Sequence, residues 1–223
     1  CAGQRRIRTK TDQETENKKN SVISLLRMKR AVFHILMGLA ILGIALNFSD
    51  YARWLLFLLL GFGIILSLAS LRFKVPFIYF MLKKFEKPKY IRRFPGKGTL
   101  FFVAGCLLVL KLFPYGIALA SIAILTFADP VATLSGLLIG KKNHRKPFNT
   151  LKKIEGTILG IVAGFLAALF FVSYIKALIA ASAAMIAEAL TLQLGGDDVD
   201  DNFIVPLVAA TTLYLLGKFL PLL

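Results

Sequence analysis

Apolar residues in this chain fall into long runs broken by short, densely charged segments. Those runs, rather than a finer periodicity, set the elements. They predict helices at roughly 31–48, 52–71, 99–113, 116–139, 155–173, 177–194 and 203–222. A bilayer asks for about 20 such residues per crossing, and lipid-exposed backbone leaves the helix as the natural spanning form. The expected fold class is an all-α integral membrane protein with about seven transmembrane helices. The third helix is short. The fourth is expected to be interrupted at Asp129-Pro130, because proline breaks the hydrogen-bond ladder. Residues 1–28 are polar and are expected to form a cytoplasmic arm, with Thr11-Asp12-Gln13-Glu14 as a helix start. Residues 29–223 then make one transmembrane domain. Residues 73–96 set Phe77, Tyr79, Phe80 and Phe85 among lysines and arginines, the pattern of an interfacial amphipathic segment.

Composition agrees with this class: 57% of the 223 residues are hydrophobic. The net charge of +16 would suggest nucleic acid on a soluble protein. Here the charge sorts by loop. Of the 28 Lys/Arg, 24 lie in the arm through Arg30, in 72–97 and in 141–153. The alternate connections hold only Arg53, Lys111, Lys176 and Lys218. The positive-inside rule then places the N-terminus cytoplasmic and the C-terminus outside. No nucleic-acid partner is expected, and no cleavable signal peptide. Cys1 and Cys106 are too few for a disulfide framework.

The acids after residue 100 are Asp129, Glu155, Glu188, Asp197, Asp198, Asp200 and Asp201. Each falls inside a predicted span or at its cytoplasmic edge. A carboxylate in the membrane is costly unless paired, hydrated or metal-bound, so it is a candidate functional group. If the segment after Asp129 is helical, Ala132, Thr133, Gly136 and Gly140 follow on one face. Such a stripe allows close approach of a ligand, and equally the close helix packing of a G-x-x-x-G pair. Lys152-Lys153 precede Glu155-Gly156-Thr157 at a helix start, a setting suited to phosphate. Arg145 and Lys146, mid-loop beside Pro147, are assigned to topology or to lipid headgroups rather than to the phosphates. Gly96-Lys97-Gly98-Thr99 is a second glycine–lysine turn before a span. It is not a P-loop, since Gly98 rather than Ser or Thr follows Lys97. The run Gly195–Pro206 crowds four carboxylates, a feature of a solvated acidic loop or of a divalent-cation site. Asp201 and Asn202 abut the last span, and Glu188 lies about two turns before the loop. Arg30 and His34 share a face at the start of the first span. The two His and two Cys form no metal-ligand spacing.

This ordered set resembles the CTP-dependent lipid kinases, the dolichol, yeast-type diacylglycerol and phytol kinases, with the CDP-diacylglycerol synthases as distant relatives. The resemblance spans about residues 27–216. It rests on Arg30, His34 and Gly38, on "PGKGT" at 95–99, and on Asp129 with Ala132, Gly136, Gly140 and Lys141. It continues through "KKIEGT" at 152–157, Glu188, and "DDNFIVP" at 200–206. It implies transfer of the γ-phosphate of CTP to the hydroxyl of a membrane lipid alcohol, a polyprenol, diacylglycerol or phytol-like prenol, with Mg2+ as cofactor. Asp129, Asp201, Asn202 and Glu188 become the expected catalytic residues, and Asp129 and Asp201 the metal ligands. Gly96, Lys97, Gly98, Thr99, Gly136, Gly140, Lys141, Lys142, Lys152, Lys153, Glu155 and Gly156 become the expected nucleotide-binding residues, with Arg30 and His34 in support. Asp201, on the aqueous side, is the preferred acceptor of the lipid hydroxyl proton. The family often places a basic residue between the two glycines. Here Leu137, Leu138 and Ile139 stand there, which leaves Lys141 and Lys142 to supply a phosphate contact.

Two other classes fit parts of the pattern. A CTP:phosphatidate cytidylyltransferase would use the same nucleotide but release pyrophosphate. A transporter or scaffold with an anion site would turn over no nucleotide. The expected location is a bacterial or archaeal cytoplasmic membrane, or the endoplasmic reticulum.

Overall fold

The computed structural model describes residues 10–72, 95–190, 193–194 and 197–220. Among them lie seven helices: α1 (Lys10–Asn47), α2 (Ala52–Arg72), α3 (Lys97–Leu112), α4 (Tyr115–Leu138), α5 (Ile154–Ala168), α6 (Tyr174–Ala189) and α7 (Asp201–Phe219). Two short strands, β1 (Gln193–Leu194) and β2 (Asp197–Asp198), pair antiparallel. Four stretches are long and apolar enough to cross a membrane: Ser24–Asn47 of α1, α2, α4 and α7. The chain is therefore a helical protein of membrane character. The amphipathic segment expected over 73–96 falls almost wholly outside the described residues.

Helix α4 is the hub. It packs against α1, α3, α5, α6 and α7, whereas α2 packs chiefly on α3. The side chains follow that placement. Thirteen residues of α4, from Ala118 to Ser135, are buried, while α2 turns Trp54, Phe57, Leu58, Phe62 and Ile65 outward. An apolar face of that size suits lipid.

The break expected at Asp129-Pro130 does not occur; α4 runs through Pro130 without interruption. Proline removes one ladder donor and crowds the preceding turn. A neighbouring helix makes an outside contact there: His34 of α1 donates from Nε2 to the Leu125 carbonyl at 3.1 Å. Helices α1 and α4 come close enough for this because Gly38, one turn after His34, lies against the Thr126 side chain. The sixth helix also ends earlier than expected, at Ala189 rather than 194. The chain there leaves the helix to pair with another segment: Asn149 N donates to Ala189 O at 2.8 Å, and Phe148 bridges Leu190. Leu194, expected as the last helical residue, instead pairs with Asp197 in the β1–β2 register.

The tightest seam joins α4 to α5. A Cβ on Gly156 would stand 2.6 Å from the Ala132 carbonyl oxygen, and one on Gly160 would stand 2.9 Å from the Ala132 Cβ. Backbone therefore meets backbone, as in small-residue membrane interfaces. Gly156→Ala should lower thermal stability in detergent, overpacking of this kind costing about 1–3 kcal/mol. Gly61→Ala, which meets nothing within 4 Å, should leave the melting temperature unchanged or slightly raised. Equal behaviour of the two variants in a fluorescence melt would show that the seam has slack.

Candidate functional site

The basic 139–153 loop folds back on itself. His144 N donates to Lys152 O at 3.1 Å, Ile154 N to Lys142 O at 3.0 Å, and His144 Nε2 lies 2.9 Å from Thr157 Oγ1. With its edge also tied to the end of α6, it roofs a cavity of about 570 Å3 between α1, α4, α6 and α7.

Asp129 forms part of the floor. It lies nine residues before the end of α4, roughly 13 Å along the axis at 1.5 Å per residue. Its carboxylate is mostly covered and faces His34 Nδ1 across 3.5 Å. A carbonyl only accepts, so the proton on the Leu125 side of His34 belongs to Nε2. Two acceptors then meet across the Asp129–His34 gap unless a proton is held between them. The edge of the His34 ring also packs on Phe102, centroid to centroid 4.6 Å.

Opposite lies a three-way ionic junction. Lys152 Nζ donates to the Glu188 carbonyl at 2.6 Å, to the Glu188 carboxylate, and to Asp201 Oδ2 at 3.0 Å. The Glu188 side chain is 6% exposed. Burial works against the lysine's charge, but Asp201 and Glu188, with Asp129 farther off, raise its pKa above the ordinary lysine value. The ammonium therefore stays charged at any physiological pH. Asp200 caps α7, accepting from Asn202 N at 3.2 Å, and acids are favoured at a helix N-terminus. Asn202 Nδ2 reaches across to Gly98 O at 3.1 Å, fixing the start of α7 against the start of α3.

The four expected catalytic residues, Asp129, Glu188, Asp201 and Asn202, all line this one cavity. So do Gly98, Thr99, Gly136, Gly140, Lys152, Lys153, Arg30 and His34. The remaining expected residues lie elsewhere. Gly96 is the left-handed N-cap of α3, φ 76°, a backbone state that suits glycine. Lys97 sits 5.5 Å over the Phe101 ring. Gly156 belongs to the α4–α5 seam. Glu155 accepts from Lys142 N at 3.1 and 3.2 Å and so closes the loop rather than facing the cavity. Lys141 and Lys142 are exposed, outside the lining. The basic group that the sequence reading missed is Arg27. Its signal was present, since Arg27, Arg30 and His34 recur at spacings of three and four along one helix face. Among the described residues, neither arginine has a carboxylate in ion-pair contact, and no group of three or more His, Cys, Asp or Glu stands close enough to hold a metal alone.

The cavity thus sets Arg27, Arg30, Lys152 and Lys153 against Asp129, Glu188, Asp200 and Asp201, with Phe33, Met37 and Leu137 as apolar wall. Comparison with protein-family models, curated proteins and solved structures finds no match.

Lys152→Met should destabilise the fold on the order of 3 kcal/mol, because it strands a buried carboxylate. Adding Glu188→Gln should recover part of that loss. Denaturant unfolding of the two single variants and the double variant measures the coupling; strictly additive losses would show that the junction contributes nothing as a unit.

Proposed function

We propose that this chain is a membrane-embedded phosphotransferase of the CTP-dependent lipid-kinase type, moving the γ-phosphate of CTP to the hydroxyl of a membrane lipid alcohol. The observation that carries the reading is the cavity's division of labour. A recessed carboxylate, Asp129, shares one space with two arginines, Arg27 and Arg30, that have no carboxylate partner among the described residues, and with an apolar wall. A polyphosphate needs the cations. A lipid alcohol needs the apolar wall, and its hydroxyl needs a proton acceptor.

The sorting of 24 of the 28 basic residues to one set of connections supports a cytoplasmic opening, where CTP is available. We also propose seven crossings. On this reading the 15- and 16-residue helices α3, α5 and α6, about 22–24 Å long, stop short of a hydrocarbon core about 30 Å thick. The cavity is the recess they leave.

Magnesium on a nucleotide takes one or two protein carboxylates along with phosphate oxygens. The hard oxygen donors of Asp129 and Asp201 fit that demand, although among the described residues they form no complete metal cage. The ion would neutralise charge on the phosphates. In the reaction the lipid oxygen forms a bond to the γ-phosphorus, the bond to the β–γ bridging oxygen breaks, and CDP leaves. The hydroxyl proton passes to a cavity carboxylate. Lys153 and the two arginines hold the phosphates, while Lys152 keeps Glu188 and Asp201 in place.

Protein in detergent with γ-labelled CTP, Mg2+ and a panel of lipid alcohols should give labelled lipid phosphate and CDP. Pyrophosphate instead of CDP would make the protein a cytidylyltransferase, and absence of turnover would end the enzymatic reading. Asp129→Asn should keep the melting temperature and lower kcat by about 100-fold or more; near wild-type turnover would remove Asp129 from the site. Lys153→Ala should instead raise KM for CTP with a smaller effect on kcat, since it removes a ground-state phosphate contact.

A further inference from the structure

We infer that the outer face of the 139–153 loop is a second binding site, one that takes the headgroup of an anionic membrane phospholipid. A cavity of about 670 Å3 opens there, lined by Lys142, Asn143, Arg145, Lys146, Phe148 and Ile154. It shares no lining residue with the first cavity. The antiparallel pairing of 142–144 with 152–154 sorts the loop's cations: Lys152 and Lys153 line the first cavity, and Lys142, Arg145 and Lys146 the second.

Topology alone asks only that cations be on this side of the membrane. It does not ask that three of them be gathered round one concavity by an ordered loop. The loop is ordered: Phe148 N donates to Arg145 O at 3.0 Å and Lys152 N to Asn149 O at 3.0 Å. Among the described residues, no carboxylate makes an ion pair with these three cations. The nearest acid in sequence, Glu155, is turned to the Lys142 backbone amide. The site is therefore built for negative charge.

The surrounding apolar side chains select the source of that charge. Phe148 and Ile154 are part of the wall. Leu138 is 73% exposed at the end of α4 that leads into the loop. Apolar side chains in and beside a cationic concavity suit the membrane interface, where acyl chains cover the former and a phosphodiester meets the latter. A soluble anion would use the cations and leave the apolar wall in water.

The test uses the full chain in neutral detergent, titrated with phosphatidylglycerol or phosphatidylcholine, with bound lipid read by native mass spectrometry. Phosphatidylglycerol should be retained preferentially. The K142Q/R145Q/K146Q variant should bind it about tenfold more weakly, as expected for loss of several interfacial cations. Lys111→Gln, an exposed lysine at the far end of α3 that lines neither cavity, should bind it as the wild type does. Should the triple variant not fold, as judged by its melting curve, Arg145→Gln alone should still weaken retention several-fold. Equal retention of the two lipids, or unchanged retention by the folded variants, would overturn the inference. Displacement of the lipid by millimolar inorganic phosphate would reassign the site to a soluble anion and overturn it equally.

Discussion

One ammonium holds the polar centre of this protein together. Carboxylates buried in an apolar bundle cost several kcal/mol each unless they are compensated. Lys152 compensates the buried Glu188, pairs also with the partly exposed Asp201, and donates to a carbonyl in the last turn of α6. Cations are favoured at a helix C-terminus, so the same charge suits the end of α6 and the acids beside it. Because Lys152 lies in the loop, Glu188 on α6 and Asp201 on α7, the junction fixes three separate segments against one another. The cavity exists because these segments meet around it. The hydrogen bond from Asn202 to Gly98 extends the arrangement to α3.

The other boundary of the cavity follows from packing rather than charge. Close approach of α5 to α4 needs the glycines of α5, and close approach of α1 needs Gly38. These two seams fix the faces of α4 on either side of Asp129. A carboxylate about two and a half turns inside the end of α4 can persist only if the neighbouring helices exclude the hydrocarbon and offer partners. His34 does both, covering the proline turn with its ring and meeting the carboxylate with its second nitrogen.

Much of this was legible in the chain. Apolar runs located α2, α3, α4 and α7 to within a few residues. Helix α1 instead begins at Lys10 rather than 31, because its polar first half carries no apolar run to mark it. The acids crowding one side pointed to one site, and the structure gathers Asp129, Glu188, Asp201 and Asn202 around one cavity. What a single sequence does not carry is direction within a loop. Six basic residues at 141–153 look alike as a string, and only the backbone pairing separates Lys153 from Lys142. Glu155 and Gly156 were placed at a phosphate site because helix starts suit anions. Instead Glu155 takes the Lys142 amide and Gly156 takes the α4 backbone. The end of α6 was placed late for a different reason: Leu190, Leu192 and Leu194 extend the apolar run past Ala189, where the chain leaves the helix to pair with Phe148 and Asn149.

The two halves of the cavity differ in what their carboxylates can do. Asp201 was the sequence's preferred proton acceptor because it borders the aqueous side. In the structure one of its oxygens already accepts from the Lys152 ammonium at 3.0 Å. Among the described residues, no lysine or arginine pairs with Asp129, which faces an imidazole whose other nitrogen is committed to the Leu125 carbonyl. On the proposed reaction the two acids therefore meet the magnesium from different settings: Asp201 shares it with an ammonium already in place, and Asp129 brings a carboxylate held only beside a ring.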